Sequence, residues 1–362
     1  MFLVAGILIG FIDRSPMTAS PAWLTGFADT ALMAILFTDG LHTNFQTMRR
    51  MKKLAGLTLF VGLPLTILFI AMSCHWVFDM PWAQCALVGA LLAPTDPVFA
   101  SALIREENIP QQLRHLLNME SGLNDGLALP IVLGVLGYLD PGHTHSSLLL
   151  NLGGGILLGP LVTWVLLWIL DVKYFGLDPL YGRLFSLSVF LIVLGLCTFL
   201  NVNVFLALFL SGMLIATRQP RLAEEFESLG LPVAELLKLM SILLFGAFFG
   251  RHLLFSESGP YFLVAGLILF LVRPLALGLV LFRSPFSFPE RVAASWFGPR
   301  GFASVVFSLQ ILKWDFPYQR QILLITFLTI VGSIFLHTST DVPVSRWLLR
   351  KKNPRWRQII GL

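Results

Sequence analysis

Six consecutive residues carry most of the chemistry open to this chain. Glu120-Ser121-Gly122-Leu123-Asn124-Asp125 places two carboxylates, an amide and a hydroxyl inside an otherwise apolar stretch. Ser121 and Asp125 stand four apart, so on a helix they share one face, and Glu120 and Asn124 share the adjacent face by the same spacing. Oxygens of this kind suit a hard monovalent cation, and a carboxylate can carry a proton in its place. A charge at mid-bilayer costs roughly 2.5–3.5 kcal/mol on insertion scales, so a span that keeps several is expected to use them for a proton or an ion.

Two further stretches should break the helices that hold them. Ala93-Pro94-Thr95-Asp96-Pro97-Val98 has two prolines, each removing a backbone donor and crowding the preceding turn, and Gly298-Pro299-Arg300-Gly301 sets a proline between glycines. Either alone could be a simple kink. Unwound backbone at membrane depth is tolerated where protein or water covers it, and there it offers carbonyls and helix ends to an ion.

The elements that must position these groups are membrane spans. A mean hydropathy of +0.80, with 56% hydrophobic and 12% charged residues, describes a polytopic all-α membrane protein with no soluble domain. Apolar runs near the length that crosses a hydrocarbon core occur twelve times, near 1–12, 22–46, 54–78, 82–104, 115–139, 148–170, 182–200, 202–217, 233–250, 259–282, 291–312 and 321–340. The first starts at Met1 without the basic region or small-residue cleavage site of a signal peptide. With the basic tail placed in the cytoplasm, the connections carry 18 Lys and Arg inside against 4 outside, which supports the count. The net charge of +5 is then a topology signal rather than a nucleic-acid surface.

The breaks fall in the fourth and eleventh spans, an odd number apart, so their helices run in opposite directions, as an inverted repeat requires. The expected organisation is one transmembrane domain over 1–345, with a first repeat near 1–139, a linker helix near 148–170 and a second repeat near 182–340, followed by a basic cytoplasmic tail at 346–362. Matching the two units also leads to the expectation that one helix of the first repeat is missing before Met1.

Thr95-Asp96-Pro97, Glu120 to Asp125 and Gly298-Pro299-Arg300-Gly301, in this order on separate spans, resemble the monovalent cation:proton antiporter family, specifically its NhaP-like sodium/proton antiporters. The resemblance implies a thirteen-helix fold of two inverted six-helix units with crossed, broken helices, here without the first helix. It makes Asp125 the carboxylate that binds cation or proton, with Ser121 and the Thr95 carbonyl as further oxygen ligands. It places Asp96 opposite Asn124 and pairs Glu120 with Arg300 across the two halves. With Asn at 124, one carboxylate of that pair titrates, which implies electroneutral exchange of sodium, or of lithium or potassium, for a proton. It further implies a homodimer in a bacterial inner membrane, lipid and the transported ions as partners, and no cofactor, enzyme activity or nucleic acid.

The chain departs from the family at Phe37-Thr38-Asp39-Gly40-Leu41, where Thr38 takes the place of a frequent glutamate and Asp39 follows it. Asp39 is either an ion ligand or a carboxylate near the cytoplasmic end, solvated or paired with Arg49 or Arg50. Lys238 reads as a snorkelling lysine or a local pair with Glu235, and Arg273, before Pro274, as a group that bonds freed carbonyls or reaches a headgroup. Asp29, Asn201, Asn203 and His337 read as helix-contact groups or pore lining, and His75, His143 and His145 as bystanders on the outer side. Gly153-Gly154-Gly155 reads as close helix packing, and Cys74, Cys85 and Cys197 as packing residues. The competing readings are a passive channel or transport-dead relative, and an intramembrane aspartyl hydrolase using Asp96 and Asp125.

Overall fold

The computed structural model describes residues 1–12, 22–43, 52–96, 111–139, 145–171, 179–254, 259–314 and 316–352. These residues form helices and no strand: α1 (Phe2–Ile12), α2 (Ala22–His42), α3 (Lys52–Leu57), α4 (Leu63–Phe78), α5 (Trp82–Leu92), α6 (Gln111–Leu139), α7 (His145–Asp171) and α8 (Pro179–Phe199). They continue with α9 (Val204–Arg218), α10 (Pro220–Leu254), α11 (Gly259–Leu267), α12 (Arg273–Leu281), α13 (Phe288–Trp296), α14 (Phe302–Gln310) and α15 (Gln319–Lys352).

Among the described residues, seven helices are long and apolar enough to cross a membrane and five more are shorter and apolar. Each of the twelve apolar runs holds one of them. The ninth begins earlier than its hydropathy suggests, because α10 carries Pro232 inside a helix that starts at Pro220. The eleventh is split into α13 and α14, and the fourth unwinds after Leu92. Residues 97–104 of that fourth run, the Arg49 and Arg50 loop, and 353–362 of the basic tail lie outside the described residues.

Contacts divide the chain into two compact units assembled from separated stretches. One comprises Met1–Arg50, Asp125–His252 and Leu309–Phe316, the other Met51–Asn124, Leu253–Ser308 and Pro317–Leu362. In the first unit α2 and α9 approach closely through reciprocal glycines: a Cβ on Gly40 would meet the Phe209 carbonyl, and one on Gly212 would meet that of Phe37. Gly154 and Gly155 of α7 likewise lie against Val202 and Asn203. Asn203 caps α9, its Oδ1 accepting from the Leu206 N–H at 2.9 Å. Asp29 holds Lys313 and Gln310 in an ion pair and a hydrogen bond. Lys238 pairs with Glu235 at 3.3 Å.

The second unit contains a pair of matched distortions. Thr58–Gly62, between α3 and α4, and Ile268–Val272, between α11 and α12, are π-helical. Each is followed by a residue and a proline, Leu63-Pro64 and Arg273-Pro274. A proline ring collides with the carbonyl four residues earlier, and that carbonyl belongs to Phe60 in one segment and Phe270 in the other. The wider turn relieves the clash.

Candidate functional site

The site is built where the two interruptions meet inside the second unit. The first opens after α5 at Ala93-Pro94-Thr95-Asp96, because Pro94 cannot donate and the helix stops before it. The second runs through Phe297-Gly298-Pro299-Arg300-Gly301 between α13 and α14. Glu290 starts α13 by accepting from the Ser287 N–H at 2.8 Å, and Phe297 turns extended at its end. Backbone and side chains then join the two: the Asp96 N–H donates to the Pro299 carbonyl at 2.9 Å, and the Arg300 guanidinium donates to the Ala93 carbonyl at 2.9 Å. Gly301 is required here, since a Cβ at that position would collide with the Asp96 side chain. Gly298 is held to glycine in the same way by the Arg273 guanidinium.

Helix α6 brings the acidic stretch to this junction. The Ser121 hydroxyl donates to the Thr95 carbonyl, which joins a side-chain oxygen to a carbonyl that the first interruption set free. Ser121, Asn124 and Glu120 are buried, and Asp125 is half-buried one turn beyond Ser121 on the same helix. Asn124 Oδ1 is buried with no hydrogen-bond partner among the described residues.

One expected partnership takes a different form. Glu120 pairs with Arg273 and not with Arg300: Arg273 Nη1 lies 2.9 Å from Glu120 Oε1 and Nη2 lies 3.1 Å from Oε2. This two-pronged geometry is the strong arrangement for a guanidinium and a carboxylate. Arg273 also donates to the Phe297 carbonyl at 2.7 Å, so it does bond a freed carbonyl as well. Arg300 is drawn instead to the Ala93 carbonyl, and its own N–H donates to Ser333 Oγ at 2.7 Å. The Asp96 carboxylate lies at the start of α14, where Oδ2 accepts from the Phe302 N–H at 3.2 Å. An anion there meets the positive end of the helix dipole.

The remaining candidates are placed as follows. The Thr38 hydroxyl bonds back to the Ala34 carbonyl at 2.8 Å within α2, and the Asp39 carbonyl accepts from Thr43. His75 stacks on Trp82 and bonds the Met80 carbonyl at 2.7 Å. Cys74, Cys85 and Cys197 are free and buried. His143 and the His145 side chain lie outside the described residues. Sequence reasoning undervalued Arg273, Ser333 and His337. The available signal was the Arg-Pro pair at 273–274, which sits at the tenth span as Leu63-Pro64 sits at the third.

Seven helices long and apolar enough to cross a bilayer, together with two shorter apolar helices whose interruptions meet, define a polytopic membrane protein of the broken-helix class. The family model described as sodium/hydrogen exchanger, transmembrane, matches residues 1–347, and the chain belongs to that family. It is 27% identical over 364 residues to the K(+)/H(+) antiporter NhaP of Alkalimonas amylolytica, covering 96% of this chain and 62% of that protein. It is 26% identical over 346 residues to the Na(+)/H(+) antiporter NhaP of Pseudomonas aeruginosa, covering 87% and 79%. The chain thus spans about three fifths of the length of the first of these curated relatives. In fold it is similar to the sodium proton antiporter MjNhaP1 from Methanocaldococcus jannaschii at pH 8, with a TM-score of 0.80 at 21% identity over 96% of this chain and 91% of that one.

Proposed function

We propose that the chain exchanges a monovalent cation for a proton by alternating access, with Asp125 holding each in turn. The observation that carries this reading is the meeting of the Ser121 hydroxyl with the freed Thr95 carbonyl, one helical turn before Asp125. A cation arriving there takes three oxygens: the Asp125 carboxylate, the Ser121 hydroxyl and the Thr95 carbonyl. It replaces the hydrogen bond between the last two, and a proton on Asp125 expels it by removing the charge that held it. Asp125, Ser121 and Thr95 are therefore the cargo-binding residues, Asn124 a neutral neighbour, and Asp96 an anchor of α14.

The Glu120–Arg273 pair engages a guanidinium at the start of the same motif. With Asn at 124, Asp125 is the one carboxylate of the neighbouring pair at 124–125, which supports one proton per cation and no net charge moved. The relatives' names divide between potassium and sodium. Sodium is the first choice of cargo, with lithium and potassium as the alternatives. The setting proposed is a bacterial inner membrane, with the chain as a homodimer and its C-terminus in the cytoplasm.

Purified protein in vesicles loaded with a pH-sensitive dye tests this reading. Adding sodium, lithium or potassium to acid-loaded vesicles is expected to restore the internal pH, equally with and without a potassium-ionophore clamp on the membrane potential. Cation movement that no proton gradient can drive in reverse would leave a passive channel instead.

A further inference from the structure

From the second interruption, we infer that Ser333 and His337 of α15 are positioning residues that set the geometry of the break opposite Asp96. They stand one helical turn apart, both buried, and neither belongs to the motifs that carry the cargo. His337 Nε2 lies 3.2 Å from the Trp296 carbonyl, at the last turn of α13. Its Nδ1 lies 3.1 Å from Ser333 Oγ, and that oxygen accepts the Arg300 N–H at 2.7 Å. With the proton on Nε2, the hydrogen bonds run in one direction: Arg300 N–H to Ser333 Oγ, Ser333 O–H to His337 Nδ1, and His337 Nε2–H to the Trp296 carbonyl. Nδ1 is also 2.9 Å from the Ser333 carbonyl, the oxygen an Nδ1–H would take.

This bridge spans the gap between the end of α13 and the start of α14 and satisfies a carbonyl on one side and an N–H on the other. Between the Phe297 N–H, which closes on the Ala293 carbonyl, and the Gly301 carbonyl, which accepts from the Val305 N–H, the chain has no helical ladder to hold it. Arg273 secures the Phe297 carbonyl from a second direction, and the Trp296 indole donates to Thr340 Oγ1 at 3.1 Å, so α15 grips the same turn twice. What is being held is the Pro299 carbonyl that receives the Asp96 N–H and the Phe302 N–H that donates to its carboxylate. The bridge therefore acts on the site through Asp96 and the first interruption, without touching the cargo.

Amide hydrogen exchange on the full chain in detergent, read by mass spectrometry, tests the bridge without reference to transport. Ser333→Ala and His337→Leu are expected to speed exchange in the peptide over 296–302 about tenfold, the size of one lost buried hydrogen bond, while peptides from α5 keep their protection. His337→Gln, whose side-chain amide can donate to the Trp296 carbonyl, is expected to recover most of the protection. In vesicles the same losses are expected to raise the KM for the cation severalfold with little change in kcat, whereas fewer folded molecules would lower kcat alone. That second readout rests on the exchange activity proposed above. A wild-type chain that moved no cation would defeat that activity and leave the bridge to be decided by amide protection. Unchanged exchange at 296–302 in Ser333→Ala and His337→Leu, or a His337→Gln variant as unprotected as His337→Leu, overturns the inference.

Discussion

Glu120 and Arg273 form a costly partnership, because both are buried and each offsets the other's charge at close range. Removing one partner of a buried ion pair costs about 3–5 kcal/mol, most of it from stranding the survivor. Glu120→Gln and Arg273→Ala are therefore each expected to lower the melting temperature in detergent sharply, and Glu120→Gln with Arg273→Gln together is expected to lose less than the sum. Additive losses in a thermal melt would break the assignment. That Glu120 takes an arginine partner was foreseen, from the family resemblance. Which arginine was not: both Arg273 and Arg300 lie on spans near the motif, and the choice follows from packing, since the carbonyl of Ala93 claims Arg300 first. The oxygen pair of Ser121 and Thr95 was foreseen from the family resemblance, and the helix spacing of Ser121 and Asp125 from the residues themselves.

At the scale of elements, the interruptions were readable because proline and glycine act locally, through a missing donor and a missing Cβ. Their meeting was foreseen only as part of a resemblance, for it depends on contacts between residues some two hundred positions apart. The π-helical segments were not foreseen, since a proline can also simply kink a helix. In retrospect Pro64 and Pro274 mark them at corresponding spans, which supports the proposed inverted repeat. The junction allows little change. Gly301→Ala puts a methyl group against the Asp96 side chain, and overpacking of this kind costs about 1–3 kcal/mol. The expected outcome is a lowered melting temperature and a weakened cation response, while Gly153→Ala, where a Cβ meets open space, changes neither. Equal behaviour of the two variants would show that the interruptions do not pack as described.

For the whole molecule, hydropathy was sufficient to find all twelve apolar runs, because apolar length is a property of the chain itself. The division into two compact units was not legible. Each unit takes stretches from both halves of the chain, and boundaries fall inside α6 and within the last turns of α10 and α14. Family membership follows from the match over 1–347, whereas the exchange proposed above turns on Asp125. The most direct test is pH-dye recovery in vesicles of the wild-type chain beside Asp125→Asn, matched for inserted protein and melting temperature. The wild type is expected to exchange cation for proton and Asp125→Asn to show no recovery above protein-free vesicles. An Asp125→Asn chain that exchanged as fast as the wild type would contradict the account.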